Sequence, residues 1–392
     1  MKKNILIIVE NLSVPFDTRV WKQAQALRAA GYGVTVLCPR DKRGEDGYEY
    51  PDGVHIYRHP VPCAWKGAAG YLLEYGAALG MEMLYAWWIY LRRGFAVIQG
   101  CNPPDDIFLI ALPFRIFGVL YIFDQHDAAL ELYRAKFGRK DVFYRIQAWL
   151  ERMSYRTARM VMTTNESFRA MAMLQGGRSA DDVVVVRNGP DTENFCAVEP
   201  NAEWKNGRAY LVGYVGNMGT QDGLDLLIEI AARLKKMGRG DIQFVCVGDG
   251  PELSQLIDLA SEKQVNLSFV GRKTGLALRE ILSTADVCVS PDPPCGVNDI
   301  STMIKVMEYM ALGKPIVQFD LKEGRYSAGE ASLYATGEDA VGDFAAKIAW
   351  LIDHPDVRAR MGAFGRERVE KELAWRYSVQ NLLSVYERVL GE

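Results

Sequence analysis

Residues 298–315 read NDISTMIKVMEYMALGKP and connect two short apolar runs, Val287 to Ser290 and Pro315 to Phe319. These runs have the length and composition of buried strands, and Gly313 stands where a glycine commonly ends a helix. The stretch therefore predicts a loop that leads into a helix, with the first helical turn near Ser301. A strand, a crossover helix and a second strand form the repeating unit of a parallel sheet.

Runs of the same kind recur along the chain and alternate with amphipathic segments of helical length. A first series comprises residues 4–9, 34–38, 55–58, 96–99, 121–124, 160–163 and 183–187, and a second comprises residues 210–215, 242–247, 267–270, 287–290, 315–319 and 332–334. Between the series, Asp191 to Gly207 lacks apolar periodicity, as an interdomain linker does. The pattern predicts two Rossmann-like, doubly wound α/β domains, residues 1–195 and 208–373, that face a cleft.

The last helix-like segment, residues 374–392, has an amphipathic pattern. Its apolar residues are alternately four and three positions apart and share one helical face: Trp375, Val379, Leu382, Tyr386 and Val389. The pattern leaves open whether this helix caps the second domain or crosses back to the first.

The composition is that of a folded protein of two domains. The chain has 392 residues, 49% of them hydrophobic and 24% charged, and its net charge of -3 gives no reason to expect a nucleic-acid partner. The seven cysteines include no Cys-x-x-Cys pair, so we expect free and mostly buried thiols.

Neither of the most apolar stretches has the length of a targeting or membrane-spanning segment. Ile5 to Val9 is too short for the apolar core of a signal peptide, and Met83 to Leu91 is far shorter than the roughly 20 residues that span a bilayer. We expect a cytoplasmic protein, or one that lies peripherally on the inner face of the membrane.

The helix predicted within residues 298–315 has the chemistry of a diphosphate site. A helix N-terminus presents free backbone NH groups and a positive dipole end, so Ser301, Thr302 and the ammonium of Lys305 are candidates to bind a diphosphate. Glu308, one turn further on, could accept hydrogen bonds from ribose hydroxyls. An ordinary capped helix with a Lys and a Glu on its solvent face explains the same pattern.

The motif Asn-Asp-x-Ser-Thr-x-x-Lys-x-x-Glu-Tyr-Met-Ala at residues 298–311 resembles the family 4 retaining glycosyltransferases, specifically the branch of bacterial polysaccharide biosynthesis. The similarity extends over essentially the whole chain and includes residues 17–19 (DTR), 102–105 (NPPD), 124–127 (DQHD) and 188–189 (NG). It implies the GT-B architecture of two Rossmann-like domains. It also implies a hexosyltransferase that uses a nucleotide-sugar donor, a UDP-sugar, and a glycan or polyprenyl-diphosphate-linked saccharide as acceptor.

The resemblance also implies roles for residues of the first domain. It places His126 beside the donor sugar and the reacting centre, and it places the acceptor near Asp17, Asn102 and Asp105. In the second domain we expect Asp299 and Lys305 to take part in catalysis.

The chain departs from the common family pattern in its carboxylates. Many relatives carry two glutamates separated by seven residues, and Glu308 matches the second of them. The first falls on Ile300, which cannot accept a hydrogen bond from its side chain. We therefore expect Asp299 to contact the donor-sugar hydroxyls instead.

A second departure concerns the cations that usually bind the diphosphate. Relatives place an Arg and a Lys after the first strand of the second domain, whereas residues 216–223 read GNMGTQDG. The charge must then come from Lys305 first, Arg272 second and Arg19 third. Backbone NH groups of Gly216, Asn217 and Gly250 could also approach a phosphate, although such turns after strands are commonly only structural.

The sequence gives no metal-binding signal. It contains no Asp-x-Asp and no cluster with the spacing of metal ligands, so we expect transfer without a metal ion or other cofactor, with a helix dipole and cations stabilising the leaving diphosphate.

Aromatic residues alternate with cations in two segments of the first domain, as on surfaces that bind anionic lipid headgroups. The segments contain Tyr85, Trp87, Trp88, Tyr90, Arg92 and Arg93, and then Arg134, Lys136, Phe137, Arg139, Lys140, Phe143, Tyr144 and Arg145. One buried helix followed by one solvated basic loop explains them equally well.

Two other functional classes remain open. A nucleotide-dependent oxidoreductase or epimerase should show Gly-x-Gly-x-x-Gly after its first strand and an acidic residue closing its second, but here the second run, Val34 to Cys38, is followed by Pro39. A catalytically inactive homologue that acts as a binding or scaffold subunit fits the missing cations and the missing first glutamate.

Overall fold

The computed structural model describes residues 3–40, 47–60 and 68–391, with the side chains of residues 68–75 and of Lys136 left out. The chain forms two compact units. The first comprises Met1–Arg187 together with Ser378–Glu392, and the second comprises Asn188–Tyr377.

The described part of the first unit contains an eight-stranded sheet. Helices connect many of its strands. The strands are β1 (Asn4–Val9), β2 (Gly33–Pro39), β3 (Tyr48–Glu49), β4 (His55–His59), β5 (Val97–Cys101), β6 (Leu120–Gln125), β7 (Met160–Thr163) and β8 (Val183–Val185). The helices are α1 (Thr18–Ala29), α2 (Ala68–Arg93), α3 (Phe108–Phe114), α4 (Ala129–Phe137), α5 (Val142–Thr157) and α6 (Glu166–Leu174). The strand order is β3-β4-β2-β1-β5-β6-β7-β8, and every pairing is parallel except that of β3 with β4.

The second unit contains a six-stranded parallel sheet in the order β11-β10-β9-β12-β13-β14. Its strands are β9 (Tyr210–Val215), β10 (Ile242–Val247), β11 (Leu267–Phe269), β12 (Val287–Ser290), β13 (Ile316–Phe319) and β14 (Ser332–Ala335). Its helices are α7 (Leu224–Lys236), α8 (Leu253–Glu262), α9 (Gly275–Thr284), α10 (Gly296–Ile300), α11 (Ile304–Ala311), α12 (Lys322–Ala328), α13 (Ala340–Asp353) and α14 (Pro355–Arg368). A π-helical turn, Val369–Leu373, leads to the last helix, α15 (Trp375–Leu390).

Strand β10 shows why the second sheet needs apolar residues in continuous runs. Ile242, Phe244 and Cys246 belong to one buried cluster, and Val245 and Val247 belong to another. Because successive side chains of a strand point to opposite faces, both faces of this sheet are covered. The coverage of both faces confirms the prediction of a doubly wound sheet for this unit.

Both sheets reverse their strand order at one point, which is where open α/β sheets bind ligands beyond the carboxyl ends of the strands. In the first unit the reversal lies between β1 and β5, and in the second between β9 and β12. The loops after these strands are therefore where functional side chains are expected.

The predicted strands are all present, with ends that differ by one or two residues. The two-residue strand β3 was missed, since it is too short to give a periodic signal. The helix expected to begin near Ser301 begins at Ile304 instead, after the separate short helix α10. That prediction was wrong because Ser301 ends α10 rather than starting α11.

The segment expected to be a linker is part of the second unit. The backbone NH of Asn201 donates to Thr284 Oγ1 at 2.9 Å, and the indole NH of Trp204 donates to Glu280 Oε1 at 2.9 Å. Both acceptors lie on α9, so residues 191–207 are held against that helix by polar contacts that apolar periodicity cannot reveal.

Helix α15 returns to the first unit, of which it is a part from Ser378 onward. Leu382, Tyr386 and Val389 are buried, and the ring centroid of Tyr386 lies 6.0 Å from that of Tyr32. The sequence pattern left open whether this helix caps the second domain or crosses back to the first. Its contacts correspond to the second possibility.

The thiols agree with the sequence expectation where they are described. Cys38, Cys101, Cys246 and Cys288 are free and buried, and Cys196 and Cys295 are free and partly exposed. Cys63 lies outside the described residues. Within the described residues, no helix is long and apolar enough to cross a membrane.

Gly223, in the loop after β9, packs closely against Pro291 in the loop after β12, and this close packing can be tested by mutation. It has φ +67°, and a Cβ there would lie 2.0 Å from the carbonyl oxygen of Pro291. Gly238 has φ +82° but no heavy atom within 4 Å of the Cβ position. We expect Gly223→Ala to lower the free energy of unfolding by about 2–4 kcal/mol and Gly238→Ala by only about 1 kcal/mol. Urea denaturation measures both, and equal losses would contradict the steric explanation.

Candidate functional site

The carboxyl edge of β9 and β12 holds a buried ion pair. Lys305 Nζ of α11 lies 2.8 Å from Asp292 Oδ1, in the loop after β12, and the two side chains are 9% and 2% exposed. The same ammonium lies 4.7 Å from the centre of the Tyr214 ring, and Asp292 also accepts a hydrogen bond from the Ser290 hydroxyl. Lys305 is therefore fixed in position at the point where the strand order reverses.

Lys305 and Glu308 share one face of α11, three positions apart, as the sequence predicts. Ser301 does not share this face, because its residue caps the end of α10 and its hydroxyl donates to the Val297 carbonyl at 2.8 Å. Thr302 lies in the break between the two helices and is half-buried. Because α11 begins at Ile304, Ser301 and Thr302 precede its N-terminus instead of forming its first turn, and their contact with a diphosphate stays a prediction.

Asp299 has a structural partner of its own. Its Oδ1 accepts a hydrogen bond of 2.8 Å from the backbone NH of Lys322, the first residue of α12. Asp299 is half-buried, and its contact with donor-sugar hydroxyls stays a prediction.

The glycine-rich turns satisfy their backbone donors internally. The NH of Gly216 donates to the Val247 carbonyl at 3.1 Å, and the NH of Gly250 donates to Asp249 Oδ1 at 2.8 Å. A Cβ at Gly216 would lie 2.5 Å from the Tyr214 hydroxyl, so this glycine is required for packing. The expectation that these two NH groups reach a phosphate is corrected accordingly, while Asn217 beside them is exposed.

Two residues of the motif hold the site together, and sequence reasoning gave them no such role. Asn298 is 3% exposed, and its side-chain amide donates to the carbonyls of Gln221 and Pro293 at 3.1 and 2.9 Å. The fully buried hydroxyl of Tyr309 donates to the Val289 carbonyl at 3.2 Å and accepts from the Val215 NH at 2.9 Å. For Tyr309 the available signal was a phenol among the apolar residues Val306, Met307 and Met310 of one helix, because buried polar groups require partners.

Arg272 lies at the same edge of the second sheet but further from the ion pair. It is exposed and follows β11, on a turn whose Gly271 carbonyl accepts a hydrogen bond of 3.1 Å from the Gly248 NH. Among the three cations expected at the diphosphate, Lys305 is the one that the fold fixes beside the β9 and β12 loops.

A buried carboxylate dominates the corresponding edge of the first unit. Asp124, at the end of β6, is 0% exposed and accepts hydrogen bonds from Arg19 at 2.6 Å, Gln23 at 2.8 Å and Gln99 at 3.1 Å. Its Oδ2 also lies 2.8 Å from Nε2 of His126. Burial alone would raise the pKa of Asp124, but the charges of Arg19 and of His126 hold that pKa well below its usual range.

Arg19 is committed to this network. Its guanidinium is 4% exposed and donates also to the Val186 carbonyl at 2.6 Å. Arg19 is thus held within the first unit by Asp124 and by the Val186 carbonyl, and its contribution of charge to the donor diphosphate stays a prediction.

Asn102 shapes the loop that carries His126. Its Oδ1 accepts the backbone NH groups of His126 at 2.6 Å and Asp127 at 3.2 Å, and its amide donates to Asp105 Oδ1 at 2.9 Å. Asn102 and Asp105 are 2% and 1% exposed, and burial raises the pKa of the Asp105 carboxyl to about 7. The expected acceptor contacts of these two residues are therefore corrected to a positioning role.

Asp17 and His126 are the predicted residues of the first unit that keep some exposure. Asp17 is half-buried and caps α1 by accepting the Val20 NH at 2.9 Å. The His126 side chain is 13% exposed and is oriented by Asp124. An imidazole held by a buried carboxylate has one ring nitrogen fixed and the other available to a ligand.

Two groups of possible metal ligands exist among the described residues, both in the first unit: Cys101 with Asp124 and His126, and Glu10 with His59 and Glu82. The first group does not suit a cation, because Arg19 already neutralises Asp124. Apart from Asp124 and His126, these residues are far apart in sequence, so the spacing rules applied to the sequence did not detect the groups.

Comparison with known families assigns the chain. Residues 17–189 match the family described as "Glycosyl transferase 4-like domain", and residues 209–354 match the one described as "Glycosyl transferases group 1". The chain belongs to the family 4-type, group 1 glycosyltransferases.

Curated relatives of this glycosyltransferase are enzymes of the same kind. The alpha-maltose-1-phosphate synthase of Mycobacterium tuberculosis is 28% identical over 278 residues, which are 63% of this chain and 67% of that protein. The GDP-mannose-dependent monoacylated alpha-(1-6)-phosphatidylinositol monomannoside mannosyltransferase of Corynebacterium glutamicum is 30% identical over 150 residues, 38% of this chain and 39% of the relative.

Solved structures show that this glycosyltransferase has the GT-B fold. Sucrose-phosphate synthase from Thermosynechococcus elongatus aligns with a TM-score of 0.81 at 18% identity and covers 100% of both chains. HepE from Anabaena, in a complex with UDP and glucose, aligns with a TM-score of 0.73 at 13% identity and covers 99% of this chain and 100% of its own. At these identities the likeness is one of fold.

The ion pair of Asp124 gives a prediction for stability. We expect Arg19→Gln to lower the free energy of unfolding at neutral pH by about 3–5 kcal/mol, because it leaves a buried carboxylate without its countercharge. The folded-state pKa of Asp124 is depressed, so the pair stabilises the fold above the unfolded pKa of about 4 and loses that effect as the pH falls further. The difference between wild type and variant should therefore shrink in acid.

Urea denaturation at neutral pH and at acid pH measures this difference. Arg134→Gln is the matched control, because Arg134 and its partner Glu131 are 52% and 22% exposed and such pairs contribute about 1 kcal/mol or less. A loss in Arg19→Gln no larger than in the control would refute the buried-pair interpretation.

Proposed function

We propose that this glycosyltransferase moves a sugar from a nucleotide-sugar donor, a UDP-sugar, to a hydroxyl of a glycan or of a lipid-linked saccharide in bacterial polysaccharide biosynthesis. The transfer retains the anomeric configuration and uses no metal ion on the donor diphosphate. The observation that carries the proposal is the buried pair of Lys305 with Asp292, at the carboxyl edge where β9 and β12 diverge.

Lys305 is the group that stabilises the leaving nucleoside diphosphate. Its ammonium is held by Asp292 and by the Tyr214 ring, so little side-chain freedom is lost when a phosphate binds. A fixed cation beside the developing negative charge lowers the barrier because it does not have to reorganise during the reaction. Neither group of possible metal ligands found in the described residues lies in this unit.

Glu308 binds the ribose of the donor. It lies on the same face of α11 as Lys305, one turn further into the helix. A carboxylate at this position accepts both ribose hydroxyls while the phosphates remain near Lys305.

His126 is the residue of the first unit to which we assign a role in sugar transfer. Its orientation by Asp124 supports a role in which the remaining ring nitrogen contacts a sugar hydroxyl. The leaving phosphate itself takes the proton of the acceptor hydroxyl late in the reaction, which suits a site without an assigned general base.

The identity of the nucleotide is the finer part of the proposal. HepE, of the same fold, has been crystallised with UDP and glucose, whereas two relatives from Corynebacterium glutamicum carry names that specify GDP-mannose. A thermal-shift assay with a panel of UDP- and GDP-sugars distinguishes a UDP-sugar donor from a GDP-sugar donor, because a ligand that binds the folded state raises its apparent stability.

Glu308→Ala tests the donor site. Two hydrogen bonds to a charged group contribute about 1.5–3 kcal/mol each, so we expect kcat/KM to fall by about two orders of magnitude or more and UDP affinity to fall with it. Transfer is measured with the donor that the panel identifies, and UDP affinity by calorimetry. The same titration in EDTA and in Mg²⁺ should give equal UDP affinity.

Glu262→Ala is the matched control for that experiment. Glu262 is exposed at the C-terminal end of α8, which lies towards the opposite edge of the sheet because crossover helices run antiparallel to the strands. An unimpaired Glu308→Ala enzyme would rule out the assigned site. UDP binding by the wild type without transfer or donor hydrolysis would favour the inactive scaffold homologue.

We also propose that the first unit contacts the inner face of the membrane through α5. Val142, Ile146 and Trp149 follow a helical spacing of four and three and are 67%, 42% and 53% exposed. The exposed cations Lys140 and Arg145 flank them, as on helices that bind anionic interfaces. The aromatics of α2 contribute less, since most of them pack against the core of the first unit.

A triple variant, Val142→Ser with Ile146→Ser and Trp149→Ser, tests the membrane contact. We expect binding to vesicles of anionic phospholipid to weaken at least about tenfold, because burial of these side chains supplies more than about 1.4 kcal/mol. Co-sedimentation measures the bound fraction. Trp350→Ser is the control, as Trp350 is 44% exposed but lies on α13 of the second unit. A wild-type protein that stays in the supernatant would remove the proposal.

A further inference from the structure

Three potential metal ligands converge at the carboxyl edge of the first sheet, apart from the residues assigned to transfer. Glu10 directly follows β1, His59 ends β4, and Glu82 lies on α2. Nε2 of His59 is 3.0 Å from Glu10 Oε2 and 3.8 Å from Glu82 Oε1, and one ligand atom of each residue lies within 4.8 Å of the other two. The three residues come from separate parts of the chain and meet only in the folded protein.

The polar atoms that face one another in this cluster are buried and unsatisfied. His59 is 0% exposed and Glu82 is 1% exposed. Within the described parts of the chain, His59 Nε2, Glu10 Oε2 and Glu82 Oε1 have no hydrogen-bond partner of acceptable geometry. Buried polar atoms are seldom left in this state, so the three atoms are candidates to bind a ligand together.

The second ring nitrogen of His59 has the partner that a metal-binding histidine requires. Nδ1 lies 3.0 Å from the Pro60 carbonyl oxygen, which can only accept a hydrogen bond. The proton therefore resides on Nδ1, and Nε2 directs its lone pair at the two carboxylates. Histidines that bind metal ions commonly donate their other NH to a backbone carbonyl in this way.

The charges and distances also fit a divalent ion. Two ionised carboxylates beside the imidazole would present two negative charges to a divalent cation, which neutralises them in this buried setting. Tetrahedral zinc with bonds of about 2.0–2.2 Å places neighbouring ligand atoms roughly 3.4 Å apart. The separations of 3.0 and 3.8 Å lie on either side of that value.

We propose that Glu10, His59 and Glu82 form a binding site for a divalent transition-metal ion, Zn²⁺ by its donor set, with one coordination position left open. Three protein ligands and an open position are the arrangement of zinc sites that also bind a second molecule. The site adjoins β1, one of the two strands at which the strand order reverses, which is where open α/β sheets commonly bind ligands. The inference is independent of the donor site and of the proposed transfer reaction.

Metal binding by the full chain tests the proposal. The protein is treated with EDTA, freed of chelator and dialysed against ZnCl₂, and bound zinc is measured by mass spectrometry. We expect about one Zn²⁺ per chain in the wild type and an affinity at least about tenfold weaker in Glu82→Gln. Substitution with Co²⁺ should give a visible spectrum without thiolate-to-cobalt charge transfer, because none of the three ligands is a cysteine.

His126→Gln is the matched control, since His126 belongs to the other group of possible ligands. It should retain wild-type zinc affinity. A wild type that binds no zinc, an affinity unchanged in Glu82→Gln, or a loss in His126→Gln would each overturn the proposal. If Glu82→Gln does not fold, Glu10→Gln decides, because the Glu10 side chain is partly exposed and its replacement perturbs packing less.

Discussion

The buried carboxylate of Asp124 is the constraint on which the first unit depends. A carboxylate with no exposure to solvent must be neutralised and hydrogen-bonded, and its partners come from α1 and β5 and from the loop after β6. Through Gln99, which accepts a hydrogen bond from the Tyr386 hydroxyl, the network also reaches α15. The network that orients His126 therefore also contacts the last helix.

The second unit solves a related problem in the same place in its sheet. Lys305 and Asp292 are both nearly buried and meet where the strand order reverses. The strands bring neighbouring carboxyl ends to one edge, and the loops there must carry polar groups because the strands themselves are apolar. In the second unit this geometry leaves a lysine fixed by a carboxylate, and in the first it leaves a histidine fixed by a carboxylate.

The sequence predicted the elements of the fold better than the contacts of the site. The strands of both sheets could be located because buried parallel strands are continuous apolar runs, and β3 was missed because two residues carry no periodicity. Gly313 has the left-handed backbone expected of a residue that ends a helix. The start of α11 was misplaced, since Ser301 is an equally good capping residue for the end of α10. Arg19, Asn102 and Asp105 were assigned to ligands because a sequence does not reveal which polar side chains are buried.

The sequence by itself determined the two-domain α/β architecture, the family and the motif that carries Lys305 and Glu308, because these depend on local pattern and on residue identity. The tertiary structure decided which polar residues stabilise the fold through buried contacts. Asn298 joins α10 to the loops after β9 and β12, Tyr309 joins α11 to these two strands, Arg19 neutralises Asp124, and α15 is part of the first unit from Ser378 onward. It also brought Glu10, His59 and Glu82 together. The physical reason is that burial and charge pairing join residues far apart along the chain, and a one-dimensional pattern records neither.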